Sequence, residues 1–372
     1  MSHIPFFDLK RVYEIQKKQI QNAVLETLES GHYILGNKGK QFEQEMKDAL
    51  AGESPGEVVG CNSGTDAIQL ALLALNVGVG DEVITVSHTA IPTLTAIQST
   101  GATPVLVDIH PETWVFDPKR LQEAITPKTK AVIGVHLYGN MVDIFSIQKI
   151  LAGHSTIAVI EDCAQSQGSS LNGKQAGTLG RFGTYSFYPT KNVGALGDGG
   201  AVFAKTPEDA SILKQLRYYG QKDRYHADIP RGVNSRLDEI QAAILSIRLK
   251  SLNAESAQKQ KQVDRYRSEL GKLVQFQKVT ETCTPAWHLC VIALESNAVR
   301  EKLKSHLDGE GVQTLIHYPI PTHLQPAFKG ARKMNLETTE SLAGRILSLP
   351  MNLGLTENEQ TKVIESIRRF FN

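Results

Sequence analysis

The feature that most constrains this chain is a series of short apolar runs between residues 58 and 162, separated by helical patterns and turns. Residues 58–61, 82–86, 103–108, 131–137 and 156–162 are rich in Val and Ile and apolar on both faces. A strand of that kind has to be covered by helices on both sides. Between the runs, residues 67–75 and 91–99 read as apolar helices. Alternation of strand and helix predicts an open α/β sheet, mostly parallel. In such sheets the chemistry gathers just beyond the carboxyl ends of the strands.

The flanks are helical. Residues 9–30 carry Val12, Ile15, Ile20, Val24 and Leu28 among Lys, Glu and Gln, and a second amphipathic pattern covers 38–50. A long helical pattern at 237–273 turns polar along its length and reads as a connector. Beyond it, strands at 286–294 and 313–316 alternate with helices at 298–308 and 357–370. A chain of 372 residues exceeds one hydrophobic core, so two domains are expected. They are a large domain over 1–250 and a smaller α+β domain over 251–372.

Lys plus Arg number 40 against 39 Asp plus Glu, which argues against a nucleic-acid footprint or a membrane-surface helix. The four cysteines form no CxxC pair and no disulfide framework, and Cys163 reads as a small buried filler. The N-terminal residues lack the basic and apolar regions of a signal peptide. The most apolar stretch, 67–79, is too short to span a bilayer. A cytoplasmic protein without a metal is expected.

Four segments stand where chemistry is expected. Asn62-Ser-Gly-Thr-Asp66 lies between a strand and a helix. The unpaired N–H groups of a helix N-terminus suit a phosphate, with Gly64 allowing close approach and Thr65 adding a hydroxyl. Ser, Thr and Asp are also ordinary caps. Asp162 ends an apolar strand, where a carboxylate can pair with a protonated ring nitrogen, and Gln165 follows within donor reach. Asp162 also reads as a cap. Lys191 lies between the aromatic run Tyr185-Ser-Phe-Tyr188 and a glycine-rich turn. Those surroundings suit a desolvated, reactive amine, and Ser186 is placed to reach a phosphate. The fourth segment, 232–243, reads locally as no more than a capped helix start.

Together, the segments 62–67, 161–166, 186–192, 197–200 and 234–239 resemble the DegT/DnrJ/EryC1/StrS sugar aminotransferases, a family of fold type I pyridoxal-phosphate (PLP) enzymes. The resemblance covers nearly the whole chain, and the 29-residue interval from Asp162 to Lys191 suits it. It implies a seven-stranded, mostly parallel sheet between helices. It implies that Lys191 carries PLP as a Schiff base and shuttles the proton, and that Asp162 pairs with the pyridine nitrogen. Gln165 would contact the ring oxygen, and Gly64, Thr65 and Ser186 would hold the phosphate. Asn234 would reach the phosphate of a neighbouring subunit, making a homodimer the active unit. One position departs from the family. The aromatic residue that usually stacks on the ring is replaced by Ala90. Stacking then falls to His88, or the ring is less tightly sandwiched; His88 also reads as a polar loop residue.

Segments 135–139, 216–220 and 316–323 are similar to members that aminate carbon 3 of dTDP-linked keto-6-deoxysugars, with L-glutamate as donor. These sugars belong to surface polysaccharides or antibiotics. His317, Tyr318 and His323 would meet sugar hydroxyls or form a structural loop. Arg236 or Lys222 would meet the diphosphate. Carbon 4 amination, UDP- or GDP-linked acceptors and a non-nucleotide cyclic ketone stay open. A dehydratase relative would carry His in place of Lys191. A regulator that binds PLP without turnover is the non-catalytic alternative.

Overall fold

The computed structural model describes residues 3–372. Met1 and Ser2, where the leader-free reading begins, lie outside the described residues. The first helix, α1 (Leu9–Ser30), is capped by the Asp8 side chain, which accepts from Arg11 N–H, and ends at Gly31 with φ 67°. Helix α2 (Asn37–Ala51) has no side-chain cap of its own.

Strands β1 (Glu57–Cys61), β2 (Glu82–Val86), β3 (Thr103–Val107) and β5 (Ala158–Asp162) each start partly exposed and are then buried to their carboxyl ends. With β4 (Thr129–Val135), β6 (Phe182–Ser186), β7 (Gly200–Ala204) and β8 (Arg332–Lys333) they form one sheet. Its order is β1-β7-β6-β5-β4-β2-β3-β8. Only β7 runs against its neighbours, pairing antiparallel with β1 and β6. The expected seven strands become eight because a two-residue strand from the C-terminal part pairs in parallel with the free edge of β3. Helices α3 (Gly64–Ala74) and α4 (Ile91–Ser99) return the chain between strands, and α3 buries Ala67, Ile68 and all of residues 70–73.

Helix α5 (Glu239–Leu270) runs through most of the residues whose pattern is helical at 237–273. Its first half, through Ala242 and Leu245, joins the core of the large sheet. Its second half, through Val263, Tyr266 and Leu270, joins a separate core with Trp287, Ile292, Leu303, Leu347 and Val363. That core packs on a three-stranded antiparallel sheet of Gln275–Phe276, Cys290–Ala293 and Ile346–Leu349. Ile4 also belongs to it, through backbone bonds between residues 4 and 311–313. Residues 313–316, expected as a strand, make only an isolated bridge from Leu315 to Ser348. Among the described residues no helix is long and apolar enough to cross a membrane.

The start of α5 supplies what α2 lacks. Glu239 is buried, and its carboxylate accepts from the N–H groups of Gly36 (2.9 Å), Lys38 (2.8 Å) and Gly39 (2.8 Å). A negative charge at a helix N-terminus satisfies otherwise orphaned donors and complements the dipole. A Cβ at Gly36 would lie 2.6 Å from that carboxylate, so glycine is needed for the approach. Glu239→Ala leaves three donors without their acceptor and should cost about 2–3 kcal/mol. Urea unfolding of the protein measures this, and an unchanged midpoint would contradict the capping role.

Candidate active site

A cavity of about 250 Å³ opens at the carboxyl ends of β2, β4 and β5, where Thr89, Leu137 and Asp162 line it. One end is made by Ser63, Gly64 and Thr65 at the start of α3, opposite Ser186. Ser63 caps α3 by accepting from Asp66 N–H at 3.1 Å. Gly64 is pressed on Ser186: a Cβ there would lie 2.6 Å from the serine Cβ. Gly200 supports the turn from below, since a Cβ there would lie 2.3 Å from Ser63 O. The helix N-terminus, Thr65 and the serine are thereby brought to one place, as expected for a phosphate pocket.

Asp162 lies on the cavity wall, 5% exposed. Its carboxylate accepts from Thr93 Oγ1 at 2.9 Å and from Ala164 N–H at 3.1 Å, and it has no ion-pair partner within bonding distance among the described residues. Burial pushes its pKa up, and these two hydrogen bonds and the charge of Lys191 pull it back. Lys191 lines the same cavity. Burial pushes its amine down to about 8, against the pull of Asp162. The chain beside it is fixed by Asn192, whose amide donates to Gln167 O (3.2 Å) and Ala286 O (2.8 Å) and accepts from Lys259 Nζ (2.8 Å).

Gln165 also lines the cavity, but its amide is engaged on both sides. Oε1 accepts from Tyr138 N–H and Nε2 donates to the Tyr318 hydroxyl, both at 2.9 Å. Tyr318 therefore stands beside the cavity without lining it, and burial pushes its phenol up to about 12. His317 holds Ser348 Oγ at 2.8 Å through Nδ1, and burial together with the charge of Lys191 pushes it down to about 4.

Two expectations are corrected. His88 does not line the cavity: it is 2% exposed, with Nε2 held 2.9 Å from the Tyr138 hydroxyl, so it cannot stack on a ring there. Ala90 does line the cavity, flanked by Thr89 and Pro92, so the usual aromatic position is small in fact as well as in sequence. His323 is structural, because Nδ1 is bonded to Ser87 Oγ at 2.7 Å and Nε2 to Glu340 at 2.9 Å, leaving neither nitrogen for a sugar. Asn234, Arg236 and Lys222 lie outside the cavity of their own chain. Asn234 is exposed, next to Ser235, which bonds Asn62 N–H and Asp66. Arg236 lies over the rings of Tyr218 and Tyr219, 5.6 and 6.0 Å from their centroids.

Sequence reasoning missed the layer behind the site. Glu161 is fully buried and accepts from His136, Gly177 N–H, Leu179 N–H and Gly180 N–H. His136 Nδ1 accepts from Val142 N–H, so its Nε2 carries the proton given to Glu161. With Cys163 these ligand atoms lie within 4.8 Å of one another, yet the His and Glu are already spent on these bonds. The Cys163 thiol is buried and pushed well up by burial, in keeping with a packed filler. The adjacency of Glu161 to Asp162 was the available signal. Thr93 carried none, and Tyr138 only its place in segment 135–139.

Residues 14–368 match the profile of the DegT/DnrJ/EryC1/StrS aminotransferase family. The chain belongs to that family. It is 40% identical over 371 residues to a dTDP-3-amino-3,4,6-trideoxy-alpha-D-glucose transaminase of Streptomyces venezuelae, spanning 99% of this chain and 96% of the relative. The crystal structure of Streptomyces venezuelae DesV in complex with a ketimine intermediate superposes with a TM-score of 0.94 at 39% identity, over 100% of this chain and 99% of that one. The structure of ntda from Bacillus subtilis with bound cofactor PMP has a TM-score of 0.91 at 32% identity, over 100% of this chain and 85% of that one. As a member of this family the chain is a PLP-dependent aminotransferase of fold type I.

The cavity fits that cofactor. A buried carboxylate without a cation suits a protonated ring nitrogen, an amine stands in the same cavity, and a helix N-terminus with two hydroxyl side chains suits a phosphate. In cofactor-free protein, labelling of Lys191 by an amine-directed reagent should rise with pH about a midpoint near 8 rather than the ordinary 10.5. Asp162→Asn removes the charge that holds the amine up, so the midpoint should move lower. Peptide mass spectrometry reads both, and an upward move would refute the coupling.

Proposed function

We propose that this aminotransferase moves an amino group from L-glutamate to carbon 3 of a dTDP-linked keto-6-deoxysugar. The observation that carries the reading is the meeting of Lys191, Asp162 and the Ser63–Thr65 turn in one cavity. The sugar class is supported by the name of the Streptomyces venezuelae relative. Bound PLP supplies an electron-withdrawing ring that stabilises negative charge beside the transferred amine. Asp162 holds the ring nitrogen protonated. Gly64, Thr65 and Ser186 hold the phosphate, and Gln165 orients the ring oxygen while steadying Tyr318. Lys191 tethers the cofactor and then acts as the base that takes the proton from the donor Cα. An amine held near pKa 8 is neutral in a useful fraction close to neutral pH. His317 and Tyr318 meet the acceptor sugar.

The active unit is a homodimer in which Asn234 reaches the phosphate in the partner's site and Arg236 or Lys222 meets the acceptor's diphosphate. The exposed position of Asn234, beside the turn that bounds its own pocket, supports this. The chain divides into two domains near residue 250 and works in the cytoplasm.

Lys191→Ala should abolish transamination, and borohydride should no longer fix the cofactor's mass on the Lys191 peptide. Retained activity would end the reading. Asp162→Asn, by removing a preorganised charge, should lower turnover about a hundredfold or more. A half-reaction screen tests the acceptor: the amine-loaded enzyme is mixed with dTDP-, UDP- and GDP-linked keto-sugars, and return of the aldehyde form is followed by absorbance. A response only to UDP- or GDP-linked sugars, or a product aminated at carbon 4, would replace the dTDP carbon 3 assignment. Absence of any spectral change on adding glutamate would favour a PLP-binding regulator.

A further inference from the structure

Tyr138 is fully buried and has φ 65°, a left-handed conformation that bulky residues avoid. Such strain persists only where the surroundings hold it, and it often marks a functional position. Here every polar atom of the residue is used. Its N–H donates to Gln165 Oε1 at 2.9 Å. Its carbonyl accepts from the N–H groups of His288 (2.9 Å) and Leu289 (3.4 Å). Its hydroxyl meets both His88 Nε2 and the carbonyl of His317. Gly139 continues the turn at φ 106°, and a Cβ there would lie 2.6 Å from Ala286 O. The turn is thus pressed against the segment that leads into the small sheet.

The direction of these bonds follows from their chemistry. A carbonyl only accepts, so the phenol hydrogen goes to His317 O. His88 must then donate from Nε2, which makes it the neutral Nε2–H tautomer. Burial supports this by pushing His88 down to about 4. The relay runs from His88 to Tyr138 to the His317 carbonyl. A second arm runs from Tyr138 N–H through Gln165 to the Tyr318 hydroxyl. Residues 317 and 318 are therefore both tied to one turn, and Leu137 and Gln165 on that turn's side line the cavity.

We propose that Tyr138, backed by His88, is a positioning residue that fixes the 317–318 segment beside the cavity and so sets the affinity for the amino acceptor. This rests on the reading that His317 and Tyr318 meet that acceptor. It gives His88 a task other than ring stacking, and it needs no contact between His88 or Tyr138 and the cofactor.

The test uses PLP-loaded enzyme and three variants: Tyr138→Phe, His88→Leu and His88→Gln. Phe keeps the ring and the backbone bonds, and Gln keeps an N–H donor. Hydrogen–deuterium exchange of peptides covering residues 315–320 should quicken in Tyr138→Phe and His88→Leu and return towards the parent rate in His88→Gln. The KM for the keto-sugar should rise about tenfold in the first two, the equivalent of one lost hydrogen bond. The glutamate half-reaction should keep its rate. Unchanged exchange in Tyr138→Phe would overturn the proposal, as would equal damage to both half-reactions. A parent enzyme that accepts no keto-sugar would sink the substrate reading alone, and the exchange comparison would still decide the tether.

Discussion

The site depends on burying a carboxylate and an amine in one cleft while keeping them from joining in an ion pair. Each charge costs several kcal/mol to bury alone. Asp162 offsets part of that cost with the Thr93 hydroxyl and the Ala164 N–H, and Lys191 with a lowered pKa. What remains is a carboxylate on the cavity wall without a counter-charge and an amine poised between its charged and neutral forms. Both are ready for a cationic, carbonyl-bearing ring. A direct Lys–Asp ion pair would have satisfied the same groups and left nothing for a cofactor to gain.

The parts of the fold set by local pattern were legible. The apolar runs mark where β1 to β5 fall along the chain, and α1 runs over the residues its pattern predicts. The cavity residues Gly64, Thr65, Asp162, Gln165, Ser186 and Lys191 were also legible, because each sits at a strand or helix end or in the turn just after one, where ligands gather. What failed depended on distant partners. His88 looks like a loop residue or a stacking ring until Tyr138, fifty residues on, is seen to hold it. His323 looks free until Ser87 and Glu340 take both its nitrogens. Glu239 looked like part of a helix start and serves as the cap of a helix some 200 residues earlier. No local window contains such information.

Helix α5 ties these layers together. Its first residue caps α2, Lys259 holds Asn192 beside Lys191, and the Tyr266 hydroxyl bonds Pro350 O next to the small sheet. One helix therefore references Lys191 to both cores. Burying Lys259, whose amine is pushed down to about 8, is costly, and it donates to the neutral amide of Asn192. That cost is consistent with precision at Asn192 mattering more than stability.

The pairing of Arg332–Lys333 along β3 has a consequence for how the chain behaves outside its folded state. Without those two residues, β3 would present a row of bare backbone donors and acceptors beside an apolar sheet. Open edges of that sort recruit strands from other molecules. The C-terminal part thus covers a stretch of that edge. A chain cut before residue 332 would leave that edge open, and in the whole fold Arg332 and Lys333 put two basic residues along it.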